Sequence, residues 1–323
     1  MLTLAVFVGP ANAMALQVKP PTSTSWYMNF YSTDSDAALN SQMFARGYEL
    51  GQRDLGLPGA QNSIAVLDFG QPWVQNGVYG TIGFSGYYRF ASVSTIRLAA
   101  AWFAYGYING AGSDTLSVVR MVIGTNNYGS YATSAHGQAW AQMMRNIGAD
   151  ITTYGWSNRI GVRAGNDMEP SYSTPSGTAN WVNGYAGAWA SPYFLYNYGS
   201  ADGCPTSGAT SAPKACSNGW SQDTVWFVSW GAAPSYPLPE VYSTGGGNAK
   251  QWQQISLYSA LGRGGRMSIA GPLSESQGCA QRGGCSGIDN TSDAAWTQLW
   301  TELNNNSLTA QSMSWSTDIK WNH

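Results

Sequence analysis

Two hydrophobic rhythms alternate along this chain. Short continuous apolar runs recur at residues 63–69 (SIAVLDF), 116–123 (LSVVRMVI) and 159–166 (RIGVRAGN), and they match strands buried on both faces. Between them lie segments with apolar residues at helical spacing: 36–55 (Leu39, Met43, Tyr48, Leu50), 94–107, 134–147 and 175–189. Pro175 suits a first helical turn, with Ser173 or Thr174 as its cap. Further strands are predicted at 193–198 (YFLYNY) and 224–230 (TVWFVSW), with weaker ones at 238–242, 267–270 and 313–319 and helices at 248–261 and 293–303. Repeated strand–helix alternation predicts parallel βαβ units, and eight candidate strands predict an α/β fold built as a single (β/α)8 TIM-type barrel with elaborated loops. The Gly/Tyr-rich excursion at 71–90 is long enough for a hairpin or an active-site loop.

The expected layout is a signal-peptide remnant at 1–13, an N-terminal extension with one helix at 14–62, and the barrel at 63–323. The first segment, LTLAVFVGPANA, has a short apolar run and a small-residue cleavage pattern but no basic start. It predicts a mature chain beginning near Met14. It is too short for a membrane span. Residues 19–25 read as a linker or an extended strand.

Four cysteines agree with an oxidising, extracellular destination, Cys204 and Cys216 in one Gly/Ser/Pro-rich loop and Cys279 and Cys285 in another. Of the three connectivities four cysteines allow, the two local disulfides are favoured because short loops close readily. Neither couple has zinc-site spacing, and His136 and His323 are remote, so no metal is expected. A net charge of −2 gives no basic footprint for nucleic acid. Only 10% of residues are charged, while 15 Trp, 19 Tyr and 39 Gly leave a neutral, aromatic, hydrogen-bonding surface suited to carbohydrate. No nucleotide-binding glycine motif and no G-x-S-x-G elbow occurs, so no cofactor is expected.

The chemistry converges on residues 159–172, RIGVRAGNDMEPSY. Residues two apart on a strand share a face, so Asp167 and Glu169 should project together where that strand ends. A barrel would gather other strand-end residues at the same mouth: Asp68, Asn126, Asn127, Asn166, Asn197, and Asp318 in the last strand. Crowded carboxylates repel, so one should keep its proton near neutrality and serve as a general acid. A second would stabilise an oxocarbenium-like centre or activate water. Arg120 and Arg163, inside strands, would pair with these acids. Trp73, Trp156, Trp226 and Trp230 are sugar platforms or core, and His136 is a helix-start polar residue or a proton shuttle. The site expected is thus Glu169, Asp167, Asp68 and Asp318 as acids, with Asn166, Asn197, Asn127, Trp230 and Trp73 contacting a glycan.

The blocks AVLDFGQPW, NDMEPSY, VWFVSW and STDIKW resemble those of family-25 muramidases and a related family of glycoside-hydrolase-like barrels without assigned function. The chain is also similar over nearly its whole length to secreted bacterial proteins carrying the same blocks. What the muramidase resemblance implies is a barrel with Glu169 as general acid, Asp167 as its electrostatic partner, and Asp68 and Asp318 as supporting acids. Two other readings stay open: a catalytically silent glycan-binding or cell-surface barrel, and a hydrolase of non-sugar esters or amides.

Overall fold

The computed structural model describes residues 17–30, 35–84 and 89–322, so the signal-peptide expectation and His323 fall outside the described residues. In chain order the elements are β1 (Ser23–Tyr27), α1 (Asp36–Leu55), β2 (Asn62–Asp68), β3 (Gln71–Gln75), β4 (Val78–Ile82), β5 (Phe90–Ser92) and α2 (Val93–Ala111). Then come β6 (Val118–Asn126), α3 (Ser134–Thr153), β7 (Ile160–Asp167), α4 (Pro175–Ala188), β8 (Leu195–Asn197) and α5 (Gln222–Trp226). The last are β9 (Ser235–Pro237), α6 (Gly247–Gly262), β10 (Leu273–Ser274), α7 (Ser276–Gln281), α8 (Ser292–Asn304) and β11 (Thr317–Trp321).

Eight parallel strands form one sheet in the order β10-β11-β1-β2-β6-β7-β8-β9, and β3-β4-β5 form a small antiparallel sheet from the 71–90 excursion. The parallel sheet curls into a half-barrel, and the closed TIM-type barrel expected from the strand count is not shown among the described residues. Its edges, β9 and β10, share no ladder; an isolated parallel bridge between Glu240 and Leu273 lies between them. The chain chemistry accounts for the interruption. β9 ends on Pro237 and Pro239 follows, so two positions facing β10 lack the N–H a ladder needs; their carbonyls accept from Ala270 N–H and Leu273 N–H (both 2.9 Å), and Val241 N–H donates to Leu273 O (2.9 Å).

Three strand expectations are corrected with it: residues 238–242 form no strand, since β9 lies at 235–237 and Glu240 makes only the isolated bridge. TVWFVSW is helical: α5 runs into a π-turn at Phe227–Gly231, begun by Ser221, whose side chain accepts from Thr224 N–H. A seven-residue apolar run fits either period, and the cap decides it. Residues 267–270 form no strand; β10 lies three residues further on.

Strand alternation builds two cores. Ile64, Val66, Val122, Tyr196, Tyr198 and Ile319 fill the inner face, while Ala65, Leu67, Met121, Ile123, Val162 and Ala164 meet the helices. Glycine brings the first helices into backbone contact. A Cβ on Gly47 would strike the Phe103 carbonyl oxygen, and one on Gly106 the Phe44 carbonyl oxygen. The expected ion pairs of the strand arginines are absent among the described residues. Arg120 lies over the Trp315 ring (4.8 Å) and Arg163 over Phe194 (5.5 Å). Arg163 is four residues before Asp167, ~13 Å down the strand, which is why aromatic faces rather than carboxylates receive it.

Candidate active site

β7 delivers the opening acid. Gly165 faces inward, since a Cβ there would meet Val122 and Tyr198; Asp167, two residues on, shares that face and ends the strand. Glu169 lies just beyond and is fixed through its backbone. Asn127, buried at the end of β6, accepts from Glu169 N–H (3.1 Å) and donates to Glu169 O (3.0 Å) and Thr178 Oγ1 (2.8 Å). Glu240 comes from the segment after β9, where its N–H donates to Gly199 O (3.2 Å). One carboxylate oxygen from each of Asp167, Glu169 and Glu240 lies within 4.8 Å of the other two.

These three line a cleft of about 420 Å³, with Asp202 just before the Cys204–Cys216 loop and Glu275 just past β10. Both local disulfides form, and both brace this mouth. In the first loop Asn218 and Trp220 donate to Pro170 O (2.9 Å) and Ser173 O (2.8 Å), holding the turn after Glu169. The second loop, closed by Cys279–Cys285, carries Arg282, which pairs with Glu275 (2.5 Å).

Burial and crowding raise every carboxyl of the group that shifts. Asp167 is held well above the ordinary range, first by burial and then by the charges of Glu169 and Asp68. Burial pushes Glu169 up to about 7; hydrogen bonds from Ser171 and Tyr172 pull against it, while Asp202's charge adds to it. Glu240 is raised by burial and then by Glu169 and Asp167, and Glu275 by burial, with Arg282 opposing. Asp68, deeper on the inner face, goes up to about 7 through burial, opposed by Gly70 N–H, which donates to Oδ1 (2.8 Å). The cluster therefore titrates as a unit and keeps protons near neutrality. Oxygens of Asp167, Glu169 and Glu240 are also the hard donors that could hold a divalent cation.

The remaining sequence candidates lie elsewhere or serve these residues. Asp318 faces away from the inner core, between inward Thr317 and Ile319, and accepts from Ser274 Oγ (2.8 Å), Ser276 N–H (2.8 Å) and Gln277 N–H (3.2 Å) at the start of α7. Asn197 accepts from Met168 N–H (3.2 Å) and Gly199 N–H (3.0 Å), tying together the turns that carry Glu169 and Glu240. Asn166 points to the helix layer, and neither side-chain polar atom has a partner. Trp230 sits in the π-turn before β9, against Tyr236 (5.3 Å), at the opposite end of the strand from the cleft. Trp73, on β3, packs on Tyr131 (4.7 Å). His136 is a structural bridge. It accepts from Trp181 Nε1 (2.9 Å), donates through Nε2 to Gly80 O (2.8 Å), and is lowered to about 4 by burial.

Sequence reasoning missed Glu240, Asp202, Glu275 and the aromatic walls. For Glu240 there was a signal, an acid within the candidate strand at 238–242; Asp202 and Glu275 stand in aperiodic loops. Searches of family models, curated proteins and solved structures found no match to this chain. Among the described residues no helix is long and apolar enough to cross a membrane, and two disulfides are compatible with secretion.

Proposed function

We propose that this is a secreted glycoside hydrolase-like protein whose cleft cleaves a glycan by carboxylate acid/base chemistry. The observation that carries the reading is the convergence of Asp167, Glu169 and Glu240 within 4.8 Å in a cleft that raises all three. Glu169, half-buried and pushed up to about 7, is the proton donor to a leaving sugar oxygen. As positive charge develops on the sugar ring, it favours ionisation of Asp167 and Glu240, which stabilise that charge in turn. The test is hydrolysis of purified peptidoglycan and neutral polysaccharides by the mature chain beside Glu169→Gln. Loss of general acid catalysis should lower turnover by ~10²–10⁴-fold. Turnover that survives the substitution removes Glu169 from its role, and sugar binding without turnover by the native chain indicates a binding protein.

A further inference from the structure

The side chains lining this cleft include five acids, Asp167, Glu169, Asp202, Glu240 and Glu275, and one base, Arg282, already engaged with Glu275. An anionic ligand would be repelled there. A sugar bearing only hydroxyls would leave the cluster holding its protons, whereas a cation favours their release and is then held by the carboxylates so formed. Asp167 is only 3% exposed, and its Oδ1 makes no hydrogen bond, so an acceptor stands ready inside the cluster.

The geometry of the three converging carboxylates fits a particular donor. A primary ammonium offers three N–H groups in tetrahedral directions. Oxygens accepting them at about 2.8 Å stand about 4.6 Å apart, inside the 4.8 Å limit that Asp167, Glu169 and Glu240 meet. The walls add a second feature suited to an organic cation. Tyr27, Phe84, Tyr172, Tyr242 and Trp321 surround the acids, with Trp321 against Tyr27 (4.7 Å) and Phe84 (5.4 Å). Aromatic faces attract ammonium groups, and they also stack on sugar rings.

We infer that the substrate unit held in this cleft is an amino sugar with a free amine, its ammonium donating to Asp167, Glu240 and the unprotonated oxygen of Glu169 while its ring lies against the aromatic wall. This rests on the reading of the cleft as a glycan site. It also narrows the expectation of a neutral glycan: that expectation came from the composition of the whole chain, whereas the cleft concentrates charge.

Titration calorimetry on the full mature chain, in buffer with chelator, tests it. The probes are a glucosamine tetramer, the N-acetylglucosamine tetramer, a glucose tetramer and tetramethylammonium chloride. The amine tetramer should bind at least ~10-fold more tightly than the other two sugars, equivalent to about 1.4 kcal/mol. That preference should weaken with added salt and vanish in Glu240→Gln. Equal or tighter binding of the N-acetylated or glucose tetramer overturns the inference and leaves the glycan reading standing. Binding of tetramethylammonium with no sugar bound overturns the glycan reading, and the amino-sugar assignment with it. A parallel titration with manganese chloride, without chelator, that blocks the amine tetramer at stoichiometric metal assigns the carboxylates to a metal and overturns the inference.

Discussion

Replacing Asp68 with Asn should stabilise the protein above neutrality and leave it nearly unchanged in acid. The carboxyl is fully buried, its Oδ1 accepts from Gly70 N–H, and its Oδ2 has no hydrogen-bond partner. An amide keeps the Oδ1 acceptor and removes the ionisation. Burial raises the folded-state value from 3.8 to about 7. Because that value is raised, Asp68's contribution is fully present below the unfolded value, near 4, and is lost as pH rises through about 7. At 1.36 kcal/mol per pH unit, the interval corresponds to ~4 kcal/mol. The stability difference, variant minus native, should therefore grow by about that amount from pH 3.5 to pH 8. Urea unfolding across that range reads it directly, and comparing the two proteins cancels the titrations they share. Parallel stability–pH curves would refute the claim that Asp68 is folded with its proton on. Growth well beyond ~4 kcal/mol would show that Asp68 and Asp167, which is raised by Asp68's charge, titrate as a pair.

Three further outcomes follow from the packing. His136, lowered to about 4 by burial, contributes stability that is present above about 6.5 and lost as pH falls through about 4, up to ~3 kcal/mol; His136→Gln should flatten that acid limb in thermal unfolding. Asn127→Ala leaves Glu169's backbone N–H without its acceptor and Thr178 without its donor, so it should destabilise by about 2–4 kcal/mol and lower turnover more than substrate affinity, read as separate effects on kcat and KM. Gly106→Ala drives a methyl into the Phe44 carbonyl on α1 and should cost about 3 kcal/mol or more by denaturant unfolding, whereas Gly187→Ala, with nothing near its Cβ, should be neutral or stabilising.

How much of this was legible in the sequence depends on whether a residue sat in a periodic segment. The inward direction of Asp167 could be read because β7 is a long central strand and period two fixes its face, whereas Glu169 lies past the strand end and joins it through the Asn127 hydrogen bonds to its backbone. The same rule hid Asp318: it is visibly a strand acid, but its face depends on register, and a shift of one residue separates the cleft from the α7 cap. Counting strands implied closure, yet a ladder needs donors, and Pro237 and Pro239 already marked where donors facing β10 were missing. TVWFVSW shows the same ambiguity at the level of one element, with Ser221 and Asp223 as the unread helix-start signal. Glu240, Asp202 and Glu275 stayed hidden for a different reason. Each is positioned by contacts from elsewhere in the chain: Glu240 by Gly199, Asp202 by Ser217, whose N–H donates to its carbonyl (3.1 Å), and Glu275 by Arg282. RIGVRAGNDMEPSY could therefore announce that an acid pair exists, but not that three more carboxylates are brought to it. Those three are what turn a pair able to share one proton into a cleft that selects for positive charge.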